Sequence, residues 1–126
     1  MKKTDFTKAV TEYFASYLPI TCGVSPNTCE SYRDTFRLLL KYFYEEKGIT
    51  ANCIELKLMD LKLISDFLDW LETKRNVLAS TRNQRLAALK AFFRYVQYRY
   101  PEYMENYINI MNLRPKKHEK NVNTFS

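Results

Sequence analysis

The 126-residue sequence, of 15.1 kDa, is short enough for one domain and long enough to bury a core without disulfides or metals. Its composition is globular, at 46% hydrophobic, 15% aromatic and 27% charged residues, and its two glycines exclude a Gly-rich phosphate loop or a dinucleotide-binding fingerprint. The formal net charge of +6 and the isoelectric point near 9.2 favour an acidic partner, nucleic acid first.

The cysteines and the histidine do not have the spacing of a metal site. Cys22, Cys29 and Cys53 contain no C-x-x-C pair, and the single histidine, His118, lies in a polar tail. We therefore expect no cofactor, and we expect the three thiols to be small buried groups in a reducing compartment. The N-terminus lacks a signal peptide and no apolar run reaches 18 residues, which predicts a cytoplasmic protein with no membrane partner.

The first periodic segment runs from Asp5 to Leu18. Its apolar side chains recur at steps of three and four residues, which predicts a helix that Asp5 caps and Pro19 stops. These apolar positions are Phe6, Val10, Tyr13, Phe14 and Tyr17.

The second helix has the clearest start and stop signals. Ser25 precedes Pro26, a capping hydroxyl followed by proline at the first helical position, and Gly48 stands where a left-handed residue ends a helix. We predict a helix from Pro26 to Lys47. Residues 49–59 lack a helical period and are predicted to cross the domain in an extended form.

Two further helices and a short fifth follow. Asp60 is the predicted cap of the third helix and Ser80 that of the fourth, with a short connection from Arg75 to Ala79. Pro101 interrupts the pattern before a last apolar segment. The predicted fold is all-α, a compact bundle of four main helices plus a short fifth over residues 1–113, with a basic linker over residues 114–126. The predicted inward stripes are Ile64, Phe67, Leu68 and Leu71 in the third helix, and Leu86, Leu89, Phe92, Phe93 and Val96 in the fourth.

The charge is concentrated in the second half of the chain. Seven basic residues and no acidic residue lie between Glu72 and Glu102, although a solvated helix normally mixes signs to form i,i+4 pairs. These seven are Lys74, Arg75, Arg82, Arg85, Lys90, Arg94 and Arg99.

The outward side of the fourth helix carries small, amide and cationic residues. Such a surface would let a nucleic-acid groove approach the backbone, with amides reaching base edges and cations neutralising phosphates. The N-terminus of this helix, where the Ser80 and Thr81 hydroxyls lie, is also the kind of position that binds phosphate. A basic solubilising face is the equally weighted alternative for the helix by itself. The residues in question are Ser80, Thr81, Asn83, Gln84, Ala87, Ala88, Lys90, Ala91 and Arg94.

The second helix offers a parallel polar face near its start, formed by Asn27, Thr28, Ser31 and Thr35. Glu30 and Asp34 would repel phosphate there, and for Thr28 a capping role is the stronger interpretation.

The tyrosines leave two questions open. Tyr95 and Tyr98 could stack on bases or pack in the core, whereas Phe92 and Phe93 fit the core. A nucleophilic tyrosine would need an activating cluster of Arg, His and Lys, which His118 in a tail does not supply.

Two runs together resemble the core-binding domain of the tyrosine recombinases, the phage integrase family. Ser25-Pro26-Asn27-Thr28 with Tyr32 resembles that domain's S-x-x-T-x-x-x-Y opening of the second helix. Ser80-Thr81 followed by Leu86, Leu89-Lys90 and Phe92-Phe93 resembles its later L-x-x-L-(K/R)-x-F-F helix. The resemblance implies a SAM-like domain that clamps duplex DNA, ahead of a separate C-terminal catalytic domain that this sequence lacks, so that the fragment binds DNA but does not cut it.

The resemblance implies DNA contacts at Thr28, Ser31, Ser80, Thr81, Gln84 and Ala88, to which the residue pattern adds Asn27, Asn83, Ala87, Lys90 and Arg94. The linker lysines Lys116, Lys117 and Lys120 would follow the DNA backbone. The implied partners are double-stranded DNA and other recombinase protomers on it, with no small-molecule substrate. A SAM-type protein-interaction module with a basic face is the alternative, and an independent enzyme is disfavoured because no acid–base cluster is present.

Overall fold

The computed structural model describes residues 2–117 and confirms the all-α fold. The α-helices are α1 (Asp5–Glu12), α2 (Pro26–Lys47), α3 (Leu61–Lys74), α4 (Ala79–Arg99) and α5 (Met104–Met111), and a π-helix (Tyr13–Thr21) continues α1. Three single 3₁₀ turns are at Ala51–Cys53, Leu56–Leu58 and Pro101–Tyr103. His118 and Lys120, with the rest of the predicted linker beyond residue 117, lie outside the described residues.

The first helix differs from its prediction at both ends. Thr4, not Asp5, is the cap, and its Oγ1 accepts from the Thr7 N–H at 3.1 Å. Asp5 instead accepts from the Leu56 N–H at 2.9 Å, which ties the helix to the later crossing segment. Such long-range partners are invisible to a local pattern.

Pro19 does not stop this helix. A π-helix bonds each N–H to the carbonyl five residues back, as Cys22 N–H does to Tyr17 at 2.9 Å, and Pro19 removes only one such bond from the wider turns. The helix ends instead at Gly23, whose φ of +62° lies in the left-handed region that glycine tolerates.

The ends of α2 and the start of α3 confirm the predicted signals. The Ser25 Oγ accepts from the Thr28 N–H at 3.2 Å, Gly48 has a φ of +66°, and the Asp60 carboxylate accepts from the Leu63 N–H at 2.8 Å. The crossing segment is less extended than predicted because two 3₁₀ turns interrupt it. It passes through the core, where Ile54, Leu56 and Met59 are fully buried.

Ser80 is not the cap of α4. Leu78 occupies that position without a side-chain hydrogen bond, and Ser80 lies in the first turn. The chain reverses at Asn76, which has a φ of +57°, and the Val77 N–H closes the end of α3 on the Leu71 carbonyl at 3.2 Å. This early reversal lets α4 begin two residues before the hydroxyl pattern predicted, with Leu78 rather than Ser80 as its cap.

Aromatic rings join the elements at the centre of the domain. The Phe92 ring of α4 lies 4.9 Å from Phe36 of α2, 5.2 Å from Tyr13 and 6.1 Å from Phe6, between ring centroids. The inward stripes predicted for α3 and α4 are all buried. Of the cysteines only Cys29 is buried; Cys22 and Cys53 are exposed, so that prediction is wrong for two of the three.

The helices α2 and α4 lie side by side and run in the same direction. Arg85 of α4 reaches the Ser31 carbonyl of α2, and further along both helices Phe92 packs on Phe36. Their N-terminal ends therefore lie at the same end of the bundle.

Candidate nucleic-acid interface

The outward side of α4 forms a continuous strip, which we call the α4 strip, made of Ser80, Asn83, Gln84, Ala87, Lys90 and Arg94. Helical periodicity brings these positions to one side, and the buried residues of α4 cover the opposite side. Lys90 is half-buried and Arg94 is exposed, and within residues 2–117 neither side chain forms an ion pair. The strip thus presents two uncompensated cations beside a small exposed residue, Ala87.

Other cations of the acid-free span are compensated by carboxylates from elsewhere in the bundle. Arg82 is only 9% exposed, with its Nε 3.0 Å from Glu72 and a terminal nitrogen 3.9 Å from Asp69, both on α3. Arg99 pairs with Glu12 at 2.6 Å. The sequence-based expectation of an unopposed basic helix is therefore correct only for part of α4.

Asn83 serves a different contact from the predicted one. Its Nδ2 donates to the Lys116 carbonyl and its Oδ1 accepts from the Lys116 N–H, both at 2.8 Å. The Lys116 Nζ also lies 2.8 Å from Glu72. We call Glu72, Asn83 and Lys116 the linker clamp, because they hold the start of the predicted linker against α4. Both polar atoms of the Asn83 amide are bonded to the Lys116 backbone, so in this structure they are not available to a base edge.

Ala88 is 2% exposed, so the expectation that it contacts DNA is wrong. It lies on the side of α4 that packs into the bundle, one position away from the strip. The neighbouring candidates differ: Thr81 is half-buried, Gln84 is exposed, and Lys116 and Lys117 are exposed. The degenerate family pattern does not distinguish these neighbours, whereas burial does.

The polar face of α2 is exposed at Asn27, Thr28 and Ser31. The Thr28 hydroxyl accepts from Ser25 Oγ at 3.1 Å, so it forms part of the helix cap, as the alternative interpretation held. Thr35 is buried and donates to the Ser31 carbonyl at 3.4 Å.

The carboxylates on α2 are engaged by arginines of the same helix. Arg37 lies 2.8 Å from Glu30 and 2.6 Å from Asp34, and Arg33 lies 3.8 Å from Glu30. These exposed pairs leave the N-terminal part of α2 close to neutral, which makes Asn27 and Ser31 polar rather than cationic candidates.

The buried tyrosines have the wrong ionisation behaviour for nucleophiles. Burial raises the pKa of Tyr95 from 10.0 to about 12, with nearby Glu12 adding to the effect. Burial also raises the pKa of Tyr13 and of Tyr107 still further. A nucleophile needs the opposite shift. Tyr95 packs 4.5 Å from Tyr17 between ring centroids, which settles it as a core residue, whereas Tyr98 is 80% exposed.

None of the helices over residues 2–117 combines the length and the apolar character needed to cross a membrane. Over the same residues, no three His, Cys, Asp or Glu side chains come together as metal ligands could.

Comparison with known proteins identifies the class. The family described as "Phage integrase, N-terminal SAM-like domain" matches residues 11–99, well over half of the chain. The chain therefore belongs to the phage integrase family, as its N-terminal domain, in agreement with the resemblance noted from the sequence.

Two proteins of Sinorhizobium fredii (strain NBRC 101917 / NGR234) are similar to this chain. The first, named "Putative integrase/recombinase y4rC", is 30% identical over 124 residues, which are 98% of this chain and 37% of that protein. The second, named "Putative integrase/recombinase y4rD", is 39% identical over 84 residues, 67% of this chain and 30% of that protein. The chain thus spans about a third of the length of these relatives. No solved structure matches it significantly.

Proposed function

We propose that this domain binds duplex DNA at half of a recombination site, through the α4 strip and the exposed start of α2. The observation that carries the proposal is the pair Lys90 and Arg94, which have no carboxylate partner within the described residues and lie about one and two turns beyond the small residue Ala87. Cations in this arrangement neutralise phosphates, and a short side chain lets a groove approach the helix backbone.

The shared direction of α2 and α4 supports the same interface. Asn27 and Ser31 on α2 and Ser80 and Gln84 on α4 are exposed at the same end of the bundle, where their polar side chains can bond phosphates or base edges. The polar residues position the domain on the duplex, and the cations supply most of the affinity.

The proposal extends to the organisation of the parent protein. Residues 1–113 form the DNA-binding domain, and residues 114–126 are a basic linker whose Lys116, Lys117 and Lys120 follow the DNA backbone. Strand cleavage and rejoining belong to a catalytic domain outside this chain, so this domain by itself is not an enzyme. The protein acts in the cytoplasm, on DNA, together with other recombinase protomers. The chain's place in the phage integrase family supports each of these assignments.

The test is a fluorescence-anisotropy titration of a mixed-sequence duplex at several salt concentrations. Lys90→Glu with Arg94→Glu should weaken binding at least tenfold and lower the slope of log affinity against log salt by about two, since two phosphate contacts are lost. The matched control is Lys41→Glu with Lys57→Glu, which reverses two exposed cations that already pair with Glu45 and Glu55.

The control should retain more of its affinity than the α4 double variant. Equal affinity of wild type and the α4 variant would remove α4 from the interface. Binding of an acidic peptide that duplex DNA cannot displace would overturn the proposal in favour of a protein-interaction module.

A further inference from the structure

A second basic site lies in an open groove between α2, the α3–α4 connection and α4, on the side of α4 that faces α2. The groove has a volume of about 420 Å³. We call it the arginine groove, and its lining consists of Asp34, Arg37, Leu38, Arg75, Val77 and Arg85. Three guanidinium groups and a single carboxylate therefore meet in one concave surface, far from the neutral balance of an ordinary surface groove.

The three arginines are not equivalent. Arg37 is satisfied, with Glu30 at 2.8 Å and Asp34 at 2.6 Å. Arg75 has no carboxylate partner within the described residues; its guanidinium carbon lies 5.8 Å from the centroid of the Trp70 ring, which holds the side chain in place. Arg37 uses the one carboxylate of the lining, so Arg75 and Arg85 carry the free positive charge.

Arg85 is the one of the three that has a buried, unpaired donor. One terminal nitrogen makes two long hydrogen bonds of 3.4 Å, to the Ser31 carbonyl and to the Thr35 hydroxyl, and both acceptors are uncharged. Its Nε is buried and has no hydrogen-bond partner. A half-buried guanidinium with an unpaired N–H is costly, and a nearby anion would offset part of that cost through its charge.

We propose that the arginine groove binds a phosphate group between Arg75 and Arg85, and that the phosphate is a backbone phosphodiester of duplex DNA. Guanidinium groups match phosphate oxygens by their planar fork of donors. The contact of Arg85 with Ser31 places the groove next to the exposed start of α2, so that a duplex on the proposed interface runs past it. This assignment deepens the proposed function and rests on it for the source of the phosphate.

The experiment has two arms and uses the whole chain. In the first, arginine Nε–H resonances are followed by NMR while inorganic phosphate replaces chloride at constant ionic strength. The resonances of Arg75 and Arg85 should shift, and that of Arg37 should shift less. In the second arm, salt-dependent titration of a mixed-sequence duplex compares Arg75→Ala and Arg85→Met with wild type. Because the two arginines share one phosphate, each variant should lower the slope of log affinity against log salt by up to about one.

Lys41→Ala is the matched control, since it removes one exposed cation of α2 that pairs with Glu45 outside the groove. Arg85→Met removes a bridge between two helices, so its thermal unfolding is measured alongside; Arg75→Ala removes no hydrogen bond and tests the groove even if Arg85→Met unfolds.

The outcomes separate the two proposals. Unchanged slopes for Arg75→Ala, in a protein that binds DNA through Lys90 and Arg94, overturn the groove and leave the proposed function standing. Phosphate-induced shifts without any duplex binding support an anion site but overturn DNA as its source, together with the proposed function. Absence of phosphate-induced shifts, together with unchanged salt slopes for both arginine variants, overturns the groove altogether.

Discussion

The helices α2 and α4 lie side by side in the same direction, yet they handle their charges in opposite ways. On α2, Arg37 pairs with Glu30 and Asp34 of the same helix. On α4 no arginine has a carboxylate within its own helix; Arg82 and Arg99 pair with α3 and α1, and Arg94 has no ion pair within the described residues. One helix neutralises itself, and the other depends on its neighbours or on a ligand.

This difference separates stability from binding. Self-pairing on an exposed helix contributes little free energy and leaves little field, because both partners stay in water. A cation without a partner contributes nothing to folding but keeps its full attraction for a polyanion. The comparison therefore predicts which substitutions act on the fold and which on recognition.

The largest expected effect is on the aromatic contact that joins the two helices. Phe92→Ala removes a fully buried ring 4.9 Å from Phe36 and should lower the free energy of unfolding by about 4 kcal/mol, through lost burial and a cavity. Urea denaturation followed by circular dichroism measures it. Tyr98→Ala on the same helix is 80% exposed and should change stability by less than about 0.5 kcal/mol. Equal losses for the two variants would contradict the packing described.

The second effect tests the contrast between the arginines directly. Arg82→Ala removes one of the two cations that pair with Glu72, a largely buried carboxylate, and should cost about 2 kcal/mol. Arg37→Ala removes an exposed pair that is screened by water and should cost much less than Arg82→Ala. Thermal and urea unfolding of both variants check the order. If Arg37→Ala proves the more damaging, the distinction between the two helices fails.

The third effect appears at alkaline pH. The pKa of Tyr95 is raised by burial from 10.0 to about 12, so the folded state favours the neutral phenol. This contribution to stability is complete below pH 10 and is lost as the pH rises through about 12, with a loss on the order of 1 kcal/mol by pH 11. Unfolding free energies at pH 9 and pH 11 measure the loss. Tyr95→Phe should show a smaller loss over the same interval, and an identical loss would assign the effect to other groups.

The smallest effect concerns the linker clamp. Asn83→Ala removes two hydrogen bonds of 2.8 Å to the Lys116 backbone. Because the site is exposed, we expect these bonds together to contribute about 1 kcal/mol. Hydrogen exchange of the Lys116 amide should become about fivefold faster, with little change in global stability. Gln84→Ala, on the neighbouring exposed position, is the control and should leave that amide unchanged. Unaltered exchange in Asn83→Ala would show that the clamp does not hold in solution.

The sequence predicted what depends on near neighbours. Ser25, Gly48 and Asp60 act as the start and stop signals they resemble, because a cap uses atoms within a few residues. The inward stripes of α3 and α4 follow from helical periodicity, and the family follows from the order of two motifs. The unpaired Lys90 and Arg94 agree with the acid-free span of the sequence, although that span did not show that Arg82 and Arg99 find carboxylates on other helices.

What the sequence missed depends on distant partners. Three contacts join segments that are distant in the sequence, so local patterns treat them separately. They are the hydrogen bond from Leu56 to Asp5, the ion pair of Arg82 with Glu72, and the hydrogen bond from Lys116 to Asn83. The burial of Ala88 was missed for a related reason: its small size fits both a close ligand and a close helix. Only the three-dimensional structure shows whether such a small residue faces a ligand or a neighbouring helix.

The π-helix from Tyr13 to Thr21 has a consequence for variation in length. Its wider turns hold about one residue more than an α-helix of the same rise, so deleting the exposed Pro19 gives the segment an α-helical route to the same end point. The segment upstream keeps Tyr13 against Phe92, and Gly23 still ends the helix. This part of the chain can therefore accept a single-residue deletion that would shift the register of any other long helix in the bundle.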